Sequence, residues 1–201
     1  RILGVGVVGI GWVAQEHLRA FLRNPHVRVL MLCDRDEART REKLRVSGLD
    51  LEAARFTRRY RDLLDSPDID IISIATPNHL HADQAVEAAQ AGKHILLEKP
   101  MATTLPDAYE IMCMAERYGA VLQVGLQYRY KPIYVEAIHE ALVRRSIGEI
   151  KTITILEHRE PFLDKVKQWN KFSKYSGGTL VEKCCHYFDL FNLFAQARPV
   201  S

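Results

Sequence analysis

Two stretches of this chain carry side chains whose types and spacing suit chemistry. The first is Gly177-Gly178-Thr179-Leu180-Val181-Glu182-Lys183-Cys184-Cys185-His186-Tyr187-Phe188-Asp189. Glu182 and His186 stand four apart, so on a helix they share one face. A carboxylate beside an imidazole raises its pKa and fixes its tautomer, as an acid–base pair requires. The same spacing also suits a surface ion pair. The neighbouring Cys184 and Cys185 suggest zinc, but no third and fourth ligand is spaced for it, so no metal is expected. The second stretch is Gly9-Ile10-Gly11-Trp12-Val13-Ala14, preceded by Gly6-Val7-Val8. It reads G-x-G-x-x-A. Gly9 permits a tight turn, Gly11 lets backbone approach a pyrophosphate, and small Ala14 lets a helix pack on a strand.

These residues need elements to hold them. Arg1 to Val5 is a short apolar run before the glycines, and apolar residues recur afterwards at Val13, His17/Leu18 and Phe21/Leu22, the helical period. The helix stops at Asn24-Pro25. Its N-terminus offers unpaired N–H groups and a positive dipole end to phosphates, placing Gly6, Gly9, Ile10, Gly11, Trp12 and Val13 at a cofactor. Strands are expected at 27–33, 55–57, 69–75, 94–97 and 121–124, with helices between them at 36–46, after Asn78 and from Pro106, the last burying Ile111, Met112 and Ala115. Alternating strands and helices imply a doubly wound parallel sheet of Rossmann type over residues 1–125.

Asp34 closes the second strand, 23 residues beyond Gly11. The dinucleotide fingerprint expects an acid about 20 residues on, accepting from the ribose hydroxyls. A carboxylate there repels a 2′-phosphate and favours NAD. The adjacent Arg35 could pair with that phosphate or stack on adenine, leaving NADP open. Asp34 could instead cap the following helix.

After Gly125 the pattern changes. A helix is expected over 132–145, a long strand over 150–157, a loop over 158–178 and a helix over 179–195. Residues 126–201 thus begin a second, α+β domain. One clear strand cannot close a sheet, so further residues are expected beyond Ser201, and a natural start upstream of Arg1.

The 201 residues are 47% hydrophobic with a formal charge of +3. That mixture of signs argues against nucleic-acid partners, and no apolar run reaches the ~18 residues of a membrane span. Cys33, Cys113, Cys184 and Cys185 show no disulfide framework, and reduced thiols in a cytoplasmic protein are expected.

Two further motifs complete the reading: Thr76-Pro77-Asn78-His79-Leu80-His81, and Ala91-Gly92-Lys93-His94-Ile95-Leu96-Leu97-Glu98-Lys99-Pro100. With the glycine turn, they resemble the Gfo/Idh/MocA family of glucose–fructose oxidoreductase, inositol 2-dehydrogenase and relatives. The resemblance covers essentially the whole chain. It implies a two-domain NAD(P)-dependent oxidoreductase acting on a sugar, inositol or other polyol, homo-oligomeric at full length. It puts Lys99 beside nicotinamide and substrate, where an ammonium stabilises developing alkoxide and can relay a proton. It puts Thr76, Pro77, Asn78, His81 and Glu98 at the cofactor, and suggests a cis Lys99–Pro100 bond. Asn78 could equally cap a helix, and His81 could simply pack at one.

In the second domain the family pattern carries an aspartate and a histidine. Here Glu182 replaces the aspartate and Cys184 a glycine, while His186 matches as general acid/base with Glu182 orienting it. Tyr128 and Arg129 would line the substrate mouth or pack a hinge. Trp12 would cover the cofactor or fill an interface, and His158, Arg159 and Trp169 are expected near the cleft. The family also admits an NAD-dependent glycoside hydrolase, and a non-catalytic NAD(P)-binding sensor is the other alternative.

Overall fold

The structure is a computed structural model that describes residues 1–158, 165–197 and 199. It divides into two compact units, Arg1–Gly125 and Leu126–Ser201. Arg159 and most of the expected strand entrance at 198–201 lie outside the described residues.

Unit 1 is built on six strands: β1 (Leu3–Val8), β2 (Val27–Cys33), β3 (Arg55–Thr57), β4 (Ile71–Ile74), β5 (His94–Leu97) and β6 (Leu122–Val124). They form one sheet in the order β3-β2-β1-β4-β5-β6, every pair parallel. This is the Rossmann order. The crossovers are α1 (Trp12–Arg23), α2 (Glu37–Val46), the short α3 (Arg61–Leu64), α4 (His81–Gln90) and α5 (Leu105–Arg117).

Alternation along each strand sends side chains to two cores, as a sheet covered on both faces requires. On one face Val5, Val7 and Leu32 pack with Ala14 and Leu18 of α1 and Leu44 of α2. On the other, Ile72, Ile74, Ile95 and Leu97 pack with Ala85, Ala88 and Ala89 of α4 and Ile111 of α5. Met112 is 55% exposed and does not share the buried face expected for it. Two helices are capped from the side: Asp36 accepts from the Arg39 N–H at α2, and Thr104 from the Asp107 N–H at α5. The family-type lysine Lys93 is buried, and its ammonium donates to the carbonyls of Ser66 and Ile69 at 2.7 and 2.8 Å. It ties the β4 approach to β5 rather than serving a ligand.

Unit 2 contains a 3₁₀ turn at Gln127–Tyr130, α6 (Pro132–Ile138) running into a π turn at His139–Val143, a 3₁₀ turn at Val166–Lys171, and helices α7 (Ser173–Ser176), α8 (Thr179–Glu182) and α9 (Cys185–Ala195). Two expectations fail here. The strand over 150–157 does not form: among the described residues of this unit there is no strand, and hence no partner to complete a ladder. The single helix over 179–195 is two helices. The break falls at Lys183 (φ −111°) and Cys184 (ψ −7°). No helix among the described residues is long and apolar enough to cross a membrane.

Candidate functional site

The order of unit 1 reverses between β1 and β4, and the loops leaving the C-terminal ends of parallel strands flank such a switch point. Those loops hold the glycine turn after β1, Asp34 after β2, Ala75–Asn78 after β4 and Glu98-Lys99 after β5. The motifs scattered along the sequence are therefore gathered on one edge of one sheet.

The glycines divide by task. Gly9 has φ +83°, and a Cβ on it would lie 2.7 Å from the Ala75 carbonyl oxygen. Only glycine meets both conditions. Gly11 has φ −89°, and a Cβ on it would meet no protein atom within 4 Å. Nothing in the fold requires glycine there. The open space lies at the N-terminus of α1, which has no side-chain cap and no acid in its first turn. Unpaired N–H groups, a positive dipole end and a backbone without a Cβ fit a dinucleotide pyrophosphate. Trp12 opens the helix and is 77% exposed.

Two residues expected at the cofactor have other duties. Gly6 lies inside β1, where a Cβ would press on Leu63 and Ile69 at 3.0 Å, so it is a packing glycine. The Ile10 side chain is fully buried, and its N–H donates to Asp34 Oδ2 at 2.7 Å. Asp34 Oδ1 accepts from the Arg35 N–H at 2.6 Å. Asp34 is thus not the cap of α2, a role held by Asp36. Its carboxylate is fixed beside the glycine turn and keeps acceptor capacity for ribose hydroxyls. Arg35 is exposed next to it.

The Thr76–His81 motif also proves partly internal. The Thr76 hydroxyl donates to Gln84 Oε1 at 2.6 Å. His81 is fully buried, with Nδ1 2.7 Å from the Pro100 carbonyl oxygen and Nε2 3.0 Å from that of Thr76. Both ring nitrogens face carbonyl oxygens of the protein, and a neutral ring donates to one of the two. It ties the loop after β4 to the segment carrying Lys99. Burial, opposed by the two bonds, holds its pKa below the ordinary 6.5. Asn78 is buried at the start of the 3₁₀ turn Asn78–Leu80, following Pro77.

Lys99 is half-buried and joined to Pro100 by a cis bond. Glu98 before it is buried, and its carboxylate accepts the Lys99 N–H at 3.2 Å. A Cβ on Gly125 would stand 2.7 Å from Glu98 Oε1, so glycine at the end of β6 makes room for this carboxylate. His17 of α1 lies 3.1 Å from Glu98 Oε1 through Nε2, and 2.9 Å from the buried Ser73 hydroxyl through Nδ1. Sequence reasoning took His17 for one of the apolar stripe. The available signal was polarity itself, since a histidine on a core-facing stripe must find partners.

In unit 2, Tyr128 is 6% exposed and its hydroxyl bonds Glu157 and Lys183. Arg129 makes a bidentate pair with Asp189, Nε to Oδ2 at 2.6 Å and Nη2 to Oδ1 at 2.5 Å. Both have partners within unit 2, and the Arg129 side chain remains 40% exposed. His186 is buried and stacks flat on Tyr128, ring centroids 4.1 Å apart at 5°. Glu182 is buried on α8, with Lys165 Nζ 3.5 Å from its carboxylate. Because the helix breaks at Lys183, the single face expected for Glu182 and His186 is not formed. Glu182 instead lines a cavity of about 280 Å³ with Asn170, Ser173, Ser176 and Thr179. Lys165 Nζ lies 4.6 Å from the centroid of the Trp169 ring, and His158 is exposed. Cys33 is buried in unit 1, its thiol pushed up to about 12 by burial first and by Asp34 and Asp62 second.

Known proteins resemble this chain in sequence and fold. Residues 3–126 match the GFO_IDH_MocA family, described as an oxidoreductase family with an NAD-binding Rossmann fold, and residues 139–200 match its C-terminal alpha/beta domain. The uncharacterized oxidoreductase YrbE of Bacillus subtilis is 31% identical over 188 residues, 92% of this chain and 51% of that protein. Levoglucosan dehydrogenase of Pseudarthrobacter phenanthrenivorans is 32% identical over 169 residues, 80% of this chain and 41% of that protein. A solved levoglucosan dehydrogenase, in complex with NADH and levoglucosan, superposes with a TM-score of 0.80 at 26% identity, covering 96% of this chain and 54% of that one. The chain spans about half the length of the curated relatives it matches. By its fold, the site gathered on its sheet edge and these matches, the chain belongs to the Gfo/Idh/MocA family of oxidoreductases.

Proposed function

We propose that the full-length protein oxidises a secondary hydroxyl of a sugar, inositol or related polyol with NAD. The observation that carries the reading is the sheet edge of unit 1: an open glycine cradle at a helix N-terminus, an acid fixed beside it, and a half-buried lysine at the end of β5. The α1 N-terminus and Gly11 would hold the pyrophosphate and Asp34 the ribose hydroxyls. When bound, NAD supplies the hydride acceptor.

The residues of the chain do the rest. Lys99 holds the substrate oxygen and stabilises the negative charge that grows on it as its proton is drawn off, ahead of hydride loss from carbon. Glu98 fixes the Lys99 backbone by accepting its N–H, His17 holds Glu98, and Ser73 holds His17. His186 accepts the hydroxyl proton, a role an imidazole nitrogen can fill. Glu182, with the hydroxyl and amide groups lining its cavity, offers acceptors and donors to substrate hydroxyls. Levoglucosan dehydrogenase among the relatives supports a sugar-like substrate.

The test is a screen of aldoses, inositols and anhydrosugars with NAD and NADP, following reduced nicotinamide absorbance. Reduction of NAD by at least one polyol is expected. No turnover across the panel by protein that binds NAD would overturn the reading.

A further inference from the structure

Lys183 is a buried charge outside the roles given above. It is 7% exposed and sits where α8 and α9 part. An ammonium leaves water only if its donors are satisfied. Here they go to the Tyr128 hydroxyl at 2.5 Å and to the Glu157 carboxylate oxygens at 3.2 and 3.1 Å. The Tyr128 hydroxyl in turn donates to Glu157 Oε1 at 3.1 Å, and the Tyr187 hydroxyl donates to Glu157 Oε2. Burial would raise the Glu157 pKa, but these hydrogen bonds and the Lys183 charge draw it down to about 2. The carboxylate therefore stays ionised opposite its lysine.

The triangle fixes one edge of the Tyr128 ring, since its hydroxyl both accepts and donates. The ring's flat surface carries His186 at 4.1 Å and 5°. Tyr134 also stacks with this ring, centroids 5.4 Å apart, Tyr187 meets it edge-on at 6.1 Å, and Lys131 Nζ lies 3.8 Å from its centroid. A plate anchored at its rim and packed around its sides fixes the plane of whatever stacks on it. For an imidazole, that plane contains both ring nitrogens and their lone-pair or N–H directions. Proton transfer depends steeply on that direction.

We infer that Lys183 is a positioning residue for His186, acting through the Tyr128 ring with Glu157 as its counter-ion. The inference rests on the proton-accepting role proposed for His186. Removing Lys183 alone would leave the Glu157 carboxylate, its side chain 31% exposed, without its counter-ion. The informative variant is therefore Lys183→Met/Glu157→Gln, which removes both charges and often leaves stability unharmed.

The experiment compares parent, double variant, Tyr128→Phe and His186→Ala in the full-length protein. Readouts are the melting temperature, NAD affinity, substrate KM and kcat, and the His186 ring-proton resonance assigned by its loss in His186→Ala. In the parent, the stacked tyrosine shifts that resonance upfield. The double variant is expected to melt near the parent and bind NAD equally. Its KM stays within about threefold while kcat falls about tenfold, as for a misdirected acid–base group. Its His186 resonance moves toward that of a free histidine. Tyr128→Phe, which loses one hydroxyl, is expected to show the same changes at smaller size, and it decides the matter if the double variant does not fold.

A folded variant with parental kcat and an unmoved His186 resonance overturns the inference. Full turnover in His186→Ala would instead overturn the role of His186, and the resonance would still report whether Lys183 holds the ring.

Discussion

Two glycines two residues apart are expected to fail in opposite ways. At Gly9, alanine must adopt φ +83°, which costs about 1–2 kcal/mol for an L residue. Its Cβ would also press to 2.7 Å on the Ala75 carbonyl and 2.8 Å on Thr76 Cγ2, adding about 1–3 kcal/mol of overpacking. Gly9→Ala should therefore lose roughly 2–5 kcal/mol of stability. At Gly11, φ is −89° and the Cβ meets no protein atom within 4 Å, so Gly11→Ala should cost below about 1 kcal/mol as an N-cap change. That methyl would stand in the space assigned to the pyrophosphate. Differential scanning fluorimetry with and without NAD separates the two effects. At one hundred times Kd, NAD adds about 2.7 kcal/mol to the parent, some 5–11 °C at this size. A hundredfold weaker Gly11→Ala would keep only about 0.4 kcal/mol of that at the same concentration. Gly11→Ala that melts like the parent and is stabilised as strongly by NAD would refute the placement of the cofactor.

Lys99→Ala should leave NAD affinity within about twofold while turnover falls by roughly a hundredfold or more, and parental turnover in steady-state assays would remove Lys99 from the chemistry. Asp34→Ala should weaken NAD and raise the NADP-to-NAD ratio of kcat/KM by about tenfold, the scale of one relieved charge–charge contact, with an unchanged ratio counting against Asp34 at the ribose. Burial holds the folded pKa of His81 below the unfolded 6.5, so the unfolded chain takes up the proton first as pH falls. The stability it contributes is complete above 6.5 and declines below it, and His81→Gln should flatten the melting-temperature profile on that acid side.

Unit 1 was legible because its elements announce themselves locally. A parallel sheet covered on both faces needs continuous apolar strands, and Ile71-Ile72-Ser73-Ile74 and His94-Ile95-Leu96-Leu97 stand out between glycine and proline breaks. Once strand order follows from right-handed crossovers, the C-terminal edge of the sheet must collect the loops with the chemistry. What the sequence could not separate was which motif residues face outward. Gly6 and Gly11 are the same residue type, yet one is crowded by Leu63 and the other looks into open space. His81 and Asn78 lie three apart in one motif, yet both histidine nitrogens face carbonyls from different loops. Those partners are distant in sequence, so spacing carries no trace of them.

Unit 2 resisted for a different reason. Periodicity around Glu182 and His186 supports a continuous helix, and helical propensity offers no cause for a break. At the break, Lys183 sends its ammonium to Tyr128 and Glu157, 55 and 26 residues upstream. A lysine at a helical position is ordinarily read as solvent-facing, because burying its charge is costly without partners. Here a tyrosine in a 3₁₀ turn and a glutamate outside any regular element supply them. The helix breaks over Lys183 and Cys184, and the Lys183 ammonium bonds the hydroxyl of the ring beneath His186. Lys183 thus stands at the break and also bonds the hydroxyl of the ring that carries His186. This couples the local fold of unit 2 to the aim of the residue proposed to take the substrate's proton.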